Sequence, residues 1–507
     1  MSTRQGRITR NAAFNVGTGV ASAGALLVTG IVVARFLGPD ETGLYALVNW
    51  GVVVVVTMAA TGVGFAAMKF VAQHHGEGAD GDEVASIARF SVRAGIVGAV
   101  LTGAVFAAAS GPLARAFGEP RARDLFLLGA CVSVPLAITR VVAGPLQGLQ
   151  RQALFLPLTL AQGLLLLAGS AAVLAAGGGL VELFYVQIAV ASVVLVLHVA
   201  VLRRVPLGGT PRRLAPAMRS RILSYGAVAT GLSALDLVVW QRSEVVLLGI
   251  FAEPRTVAFY SIAFALAEGL QQIVPTAVST ALFPSLSRAF ATDDRAFMAI
   301  AYERSVRITV SVTLPVAVGG ALLAAPAIET LYGEEFVGAA VALQILLFSA
   351  AAGRIGYSFS SLLFAGDRER LMLVMTVGWA VLNVGLGLAF IPAFGLVGAA
   401  LVNAGVQILA VATGPVIVWR LFGLSLPFGS LLRVAAATLP MAGAIVIVTL
   451  VVDGALAVLL LGGLAGTVAY AAALPATGAL TPHELALARE LLGSVLRRGS
   501  ARPTGVA

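Results

Sequence analysis

The residues of this sequence most able to do chemistry are three charges inside one apolar stretch. Asp236, Arg242 and Glu244 lie within Ile222–Phe251, which is long enough to cross a bilayer as a helix. Charges at that depth are costly and usually mark a solute pathway or an internal ion pair. On one continuous helix the two acids would share a face, and the arginine would lie off it. The stretch therefore predicts an acidic stripe beside a guanidinium that either binds a solute or pairs with a neighbouring acid.

Further charges lie in other apolar stretches, namely Glu268 and Arg354, and Arg35 lies at the end of another. Arginine suits phosphate because its planar fork makes two parallel charge-assisted hydrogen bonds. A buried carboxylate can instead hold a coupling cation or a proton. Asp236, Glu244 and Glu268 are therefore candidate coupling or cavity acids.

The composition identifies the class of protein that carries these charges. Of the 507 residues, 59% are hydrophobic and 11% are charged, and the mean hydropathy is +0.96. This balance is typical of an all-α protein that crosses the membrane many times. The net charge of +9 does not indicate nucleic-acid binding, because basic residues in the loops of membrane proteins set topology.

Apolar runs of spanning length predict about fourteen transmembrane helices. They cover residues 14–36, 43–67, 84–109, 124–147, 153–177, 181–202, 222–251, 257–282, 302–324, 337–364, 371–391, 395–419, 427–451 and 455–476. Arginines are dense in the loops on one side, above all between the sixth and seventh runs. By the positive-inside rule that side is cytoplasmic, so we expect both termini in the cytoplasm and the protein in the plasma membrane.

Two halves of the sequence repeat one pattern. Pro39 and Tyr45 recur as Pro254 and Tyr260 at an offset of 215, and Gly179-Leu180-Val181 recurs as Gly395-Leu396-Val397 at an offset of 216. With six spans in each copy, the copies share one orientation and form parallel repeats. The predicted regions are an N-terminal six-helix lobe (1–205), a basic cytoplasmic linker (206–221), a C-terminal six-helix lobe (222–422), helices thirteen and fourteen (423–477), and an amphipathic cytoplasmic tail (478–507).

Several chemistries lack the residues that they need. The sequence has no GxxxxGK[ST] phosphate loop, so it does not predict ATP hydrolysis. His74 and His75 are adjacent, but no further His or Cys cluster completes a metal site. The predicted outer loops are short and offer little for an enzyme that acts outside the membrane. We therefore expect no enzymatic activity, no catalytic residue, no metal and no cofactor.

With these residues in view, the sequence resembles the polysaccharide-export branch of the multidrug/oligosaccharidyl-lipid/polysaccharide exporter superfamily, the O-antigen-type flippases. The resemblance is carried by ARFLGPDETGLYAL (Ala34–Leu47), RSEVVLLGIFAEPRTVAFYSIA (Arg242–Ala263) and ALFPSLSRAF (Ala281–Phe290). It implies two lobes around a central cavity and outward movement of a polyprenyl-diphosphate-linked oligosaccharide by alternating access. It also places Arg35 at the outer rim of that cavity. The candidate substrate ligands are then Arg35, Arg242 and Arg354.

Partners implied by the resemblance are the lipid-linked oligosaccharide, the bilayer and glycan-assembly proteins, with no nucleic acid. Two alternatives stay open, namely a multidrug/cation antiporter of the same superfamily and a flippase for the peptidoglycan precursor. Against the antiporter, the first apolar run has no acid, whereas such antiporters often have one there. A membrane-embedded glycosyltransferase is a further alternative, and the short outer loops argue against it.

The arginine distribution makes a topology prediction. Reporters fused after Gly118 and after Gly208 should lie on opposite sides of the membrane, the first outside and the second in the cytoplasm. Paired alkaline phosphatase and fluorescent-protein fusions measure this directly. If both positions report the same side, the predicted span count in the first half is wrong.

Overall fold

The structure is a computed structural model that describes residues 2–76, 81–149, 151–205, 209–210, 212–239 and 243–479. These residues form helices and short connections, and no strand occurs among them. The all-α fold that the composition predicts is therefore confirmed. The predicted amphipathic tail falls almost entirely outside the described residues.

Sixteen α-helices follow one another along the described chain. The first eight are α1 Ser2–Val56, α2 Gly62–Gly76, α3 Gly81–Ala116, α4 Ala122–Gly148, α5 Gln152–Ala175, α6 Leu180–Arg204, α7 Pro216–Val239 and α8 Glu244–Phe251. The others are α9 Pro254–Gln271, α10 Ile273–Ala291, α11 Arg295–Leu322, α12 Ala324–Tyr332, α13 Ala340–Ala365, α14 Glu369–Phe422, α15 Phe428–Val451 and α16 Ala455–Ala476. A π-helix, Thr57–Thr61, joins α1 to α2, and a 3₁₀-helix, Glu334–Ala339, precedes α13.

The two longest helices each break at a glycine. In α1 the backbone of Gly38 has φ 75° and ψ 176°, and Pro39 follows it. In α14 Gly395 has φ 51° and ψ −124°. Glycine adopts positive φ without the steric penalty that a Cβ brings. Each helix is therefore two rods joined at a glycine.

Eleven helical segments of the described chain are long and apolar enough to cross a membrane. Two of them, Gly24–His75 and Glu369–Phe422, contain 52 and 54 residues, whereas one crossing needs about 20. Each of these two contains one of the glycine breaks. The chain is a multi-pass membrane protein, and the number fourteen stays a prediction.

Over Ile222–Phe251, where the sequence predicts one helix, the structure describes two helical segments. Helix α7 ends at Val239, and α8 begins at Glu244. Between them the hydroxyl of Ser243 donates to the carbonyl of Val238, five residues earlier, at 2.7 Å. Serine hydroxyls inside a regular helix bond to the carbonyl three or four residues earlier, so this bond spans a wider turn. Residues 240–242, which include Arg242, lie outside the described residues.

Close contacts divide the chain into two units. The first comprises Met1–Gly269, Leu331–Ala342 and Arg370–Val406, and the second comprises Leu270–Thr330, Leu343–Glu369 and Gln407–Ala507. The predicted lobes follow the sequence repeat instead, and their boundaries stay a prediction. Within the second unit, Leu323, Met441, Ile445 and Val458 form one buried cluster. Other large apolar side chains of α15 and α16 are exposed, for example Leu439 and Leu464, as lipid-facing side chains of a membrane protein are.

In the first unit α2 and α7 approach each other closely at Gly62. A Cβ at this position would lie 1.9 Å from the carbonyl oxygen of Gly226 and 2.2 Å from Oγ1 of Thr230. Membrane helices commonly use small residues where their backbones meet, because packing drives their association. Gly62 therefore holds the contact between α2 and α7.

We predict that Gly62→Ala destabilises the protein, although alanine favours a helix by about 1 kcal/mol over glycine. The added methyl overpacks against backbone, which typically costs about 1–3 kcal/mol. Thermal unfolding of the purified protein in detergent measures the change. The matched control is Gly231→Ala on α7, where a Cβ would meet nothing within 4 Å. An equal fall in both variants would contradict this explanation.

Candidate functional site

The candidate site of the first unit is built around Glu244. Its side chain is buried, with only 1% of the residue exposed, and it lies in the first turn of α8. The unsatisfied N–H groups at a helix N-terminus favour a negative charge there. The start of a new helix at Glu244 therefore gives the carboxylate a favourable backbone environment.

Three side chains donate hydrogen bonds to this carboxylate. The hydroxyl of Tyr260 donates to Oε2 at 2.9 Å. Nδ2 of Asn383 donates to Oε1 at 3.0 Å, and Nδ2 of Asn403 donates to the same oxygen at 3.4 Å. All three donors are buried. Both carboxylate oxygens thus have partners inside the helical structure.

Two helices position these donors. Tyr260 lies on α9, and the two asparagines lie on α14 on either side of the break at Gly395. The amide oxygen of Asn383 lies 3.2 Å from the hydroxyl of Ser243 and shares its one proton with the carbonyl of Val238, an arrangement that leaves Nδ2 of Asn383 for the acid. The glycine break therefore lets both rods of α14 contribute to one site.

The partners of Glu244 are all neutral. In the described part of the chain, no lysine, arginine or histidine lies within 4.0 Å of its carboxylate. Burial of a charge is tolerated when hydrogen bonds satisfy it, and neutral donors do not cancel the charge. The arrangement can hold a proton on the carboxylate or a small cation beside it.

A smaller neutral cluster stands at the repeat-related position. Nε2 of Gln187 donates to the hydroxyl of Tyr45 at 2.7 Å. Tyr45 and Tyr260 differ by 215 in number, and Gln187 and Asn403 differ by 216, which are the offsets of the sequence repeat. The same two helix positions thus belong to a polar cluster in both copies, directly bonded in the first and bonded through Glu244 in the second. This correspondence supports the predicted duplication.

The other predicted acids have different surroundings from Glu244. Asp236 is exposed on α7, and Glu268 is partly buried on α9. Because Glu244 is buried on a separate helix, the shared acidic stripe expected for Asp236 and Glu244 is not what the structure shows.

Two of the predicted arginines have neutral partners. Nε of Arg35, an exposed residue, donates to the carbonyl of Leu331 at 2.8 Å. Arg354, in the second unit, is buried. It donates to the hydroxyl of Tyr357, and its guanidinium carbon lies 5.2 Å from the centroid of that ring. Arg242 lies outside the described residues.

Sequence reasoning missed three members of the Glu244 site as ligands. In the sequence Tyr260 stands out only as half of a repeated pair, and Asn383 and Asn403 belong to no motif. Asparagines within otherwise apolar runs could have indicated the site, since such residues in membrane helices usually form hydrogen bonds to a neighbouring helix.

Comparison of the sequence with models of protein families identifies the family of this chain. The model described as "Polysaccharide biosynthesis protein" matches residues 32–341, which is more than half of the chain. The chain belongs to this family. It lies in the polysaccharide-biosynthesis branch of the multidrug/oligosaccharidyl-lipid/polysaccharide exporter superfamily, as the sequence resemblance predicts. A second model, "Lipid II flippase MurJ", matches residues 230–474. No curated protein matches the chain in sequence.

Solved structures of this superfamily share the fold. The lipid II flippase MurJ, in an inward closed conformation, superimposes with a TM-score of 0.73 at 13% identity, covering 91% of this chain and 98% of that one. A multidrug resistance MATE family transporter in an inward-facing conformation gives 0.67 at 16% identity, covering 79% and 94%. A mutant of the Vibrio cholerae MATE transporter VcmN gives 0.58 at 15% identity, covering 80% and 94%. At these identities the likeness concerns the fold alone.

We predict that Tyr260→Phe lowers the stability of the protein, because the hydroxyl of Tyr260 donates to the buried carboxylate of Glu244. Loss of the hydroxyl removes a donor from a buried carboxylate, which costs about 1–3 kcal/mol. Thermal unfolding in detergent measures the loss, and Tyr185→Phe, at an exposed tyrosine, is the matched control. In a Glu244→Gln background the same change should cost less, because the buried charge is gone. A loss of equal size in both backgrounds would show that the hydroxyl does not act through Glu244.

Proposed function

We propose that this protein is a flippase that moves a polyprenyl-diphosphate-linked oligosaccharide outward across the plasma membrane for surface polysaccharide assembly. The observation that carries the proposal is the family match over residues 32–341 in a multi-pass helical chain. The substrate is moved by alternating access and is not chemically altered. Both termini lie in the cytoplasm, and glycan-assembly proteins supply and consume the substrate.

The substrate has parts with opposite solvent needs. Its diphosphate and sugars cannot enter hydrocarbon, so they need hydrated cationic surfaces. We propose Arg35, Arg242 and Arg354 for this role. Arg35 and Arg354 each contact a neutral oxygen in this structure, and a diphosphate offers each guanidinium charged acceptors in place of that oxygen. The polyprenyl tail stays in lipid, against exposed apolar side chains such as those of α15 and α16.

We propose that Glu244 couples this movement to a cation or proton gradient. Its carboxylate is buried and is held by neutral donors, so loading and unloading of a cation changes the charge of an apolar region. Such a change can favour one conformation over another only if the two hold the cation with different affinity. Asp236 and Glu268 stay candidate cavity acids.

A flippase for the peptidoglycan precursor is the second candidate. The match of residues 230–474 to the model "Lipid II flippase MurJ" favours it. The two candidates share a need for cationic groups that bind a diphosphate, and they differ in the glycan. A multidrug antiporter is a further alternative, since MATE transporters share the fold.

The test is transport by the purified protein in vesicles. A fluorescent polyprenyl-diphosphate oligosaccharide should change leaflet only when the protein is present. We expect Arg354→Gln to lower the initial rate by about tenfold or more, because charge-assisted hydrogen bonds are worth about 1.5–3 kcal/mol. The control Arg295→Gln removes an exposed arginine that pairs with Asp293 and should leave the rate unchanged.

The same vesicles separate the alternatives. Movement of lipid II in preference to the oligosaccharide substrate would favour the second candidate. Exchange of organic cations for protons or sodium, with no movement of either lipid, would replace the proposal with the antiporter. Glu244→Gln should abolish the dependence of the rate on an imposed proton or sodium gradient.

A further inference from the structure

Two cations lie around one aromatic ring where α2 ends and α7 begins. Nζ of Lys69 lies 4.1 Å from the ring centroid of Tyr225 and 5.8 Å from that of Phe70. The guanidinium carbon of Arg221 lies 5.3 Å from the same Phe70 centroid. All four residues belong to the first unit. Both cations thus lie beside the ring of Phe70.

Neither cation has an acidic partner in the described part of the chain, because the nearby acids are engaged elsewhere. Asp82 pairs with Arg212 at 2.7 Å, and Glu83 lies 3.6 Å from His74. Among the described residues, Lys69 and Arg221 contact the aromatic faces of Phe70 and Tyr225. Nε of nearby Arg219 is buried and makes no hydrogen bond to any described group. The region thus has positive charge with no described counter-ion.

This arrangement differs from the basic residues that set topology. Those need only lie in cytoplasmic loops, as the exposed Arg213 does. Lys69 instead lies half-buried on a helix, where an ammonium without a counter-ion is unfavourable. A ligand anion relieves that unfavourable state each time it binds.

The cations stand on a rigid apolar base. Phe70 and Ile222 belong to a buried cluster that also contains Val84, Ile87 and Leu214. The segment before α7 is fixed to α3, because the backbone N–H of Arg212 donates to Oγ of Ser86 at 2.7 Å. The helices that carry the charged residues are therefore fixed by packing before any ligand arrives, which lowers the entropic cost of binding.

We propose that Lys69 and Arg221, with Arg219, form a binding site for the diphosphate of a prenyl-linked substrate. The site lies at the end of the helices that we predict to be cytoplasmic, and the inference rests on the proposed function. Lysine supplies a point charge and arginine a planar fork, a combination suited to two linked phosphates. The substrate thus binds here before its head group enters the translocation pathway.

Binding of a soluble prenyl diphosphate to the full-length protein in detergent tests the site. With farnesyl diphosphate as the probe, we expect Lys69→Met and Arg221→Gln each to weaken binding by about tenfold or more. Lys69→Arg keeps the charge and should retain most of the affinity. Arg213→Gln removes a nearby exposed arginine and should change nothing. Thermal unfolding of each variant, compared with the unmodified protein, confirms that it is folded.

Several outcomes would overturn the site. Unchanged binding in Lys69→Met, or an equal loss in Arg213→Gln, would show that the cluster is no specific site. Competition separates the sources of phosphate. If phosphatidylglycerol displaces the probe better than inorganic diphosphate does, the cluster holds bilayer lipid, and the proposal fails.

Transport distinguishes this failure from failure of the proposed function. In vesicles, Lys69→Met should raise the substrate concentration for half-maximal flipping by about tenfold while the maximal rate persists. Normal flipping at low substrate by Lys69→Met would reject the site and leave the flippase intact. Charge-dependent binding of farnesyl diphosphate without any flipping would retain the site and reject the flippase.

Discussion

A carboxylate buried among apolar helices must receive all its hydrogen bonds from the chain, because lipid provides none. Glu244 meets this constraint with donors from Tyr260, Asn383 and Asn403. The local backbone follows from the same need. Helix α8 begins at the acid, and α14 breaks at Gly395 between its two asparagines. The first unit therefore depends on one charge that ties α8, α9 and both rods of α14 together.

The repeat-related cluster shows how such a charge can arise in a duplicated scaffold. Tyr45 and Gln187 bond to each other as neutral groups. At an offset of 215 from Glu244 stands Thr29, whose hydroxyl donates to the carbonyl of Ala25. A threonine hydroxyl can donate a hydrogen bond to a carbonyl of its own helix, whereas a buried carboxylate needs donors from other helices. At equivalent positions of the repeated pattern, the first copy thus has a threonine and the second has an ionisable acid.

The sequence predicted the apolar helices and the membrane well, because length and composition determine them directly, and it predicted the family from short sequence motifs. It did not predict the bond from Ser243 to the carbonyl of Val238, because a serine in an apolar run does not reveal which carbonyl it contacts. It also failed to join Glu244 to Asn383 and Asn403, since these partners are 139 and 159 residues away. Hydropathy predicts that a residue lies in a transmembrane helix, but it does not determine which neighbouring helix the side chain of that residue faces. Similarly, Arg35 bonds to a backbone carbonyl, and a backbone acceptor cannot be recognised from the amino-acid sequence because every residue has a carbonyl.

The partners of the charges separate structural groups from groups that can bind a ligand. Asp82 and Arg212 neutralise each other, so an incoming anion would have to compete with a carboxylate, and this pair fixes the segment before α7. Glu244 is held by amides and a phenol, and Lys69 and Arg221 are held by aromatic faces. Neutral partners orient a charge without cancelling it, and a cation on an aromatic face gains only about 0.5–2 kcal/mol. A transporter must bind its cargo and then release it, so charges held in this way are better suited to the task than ion pairs that have to be broken first.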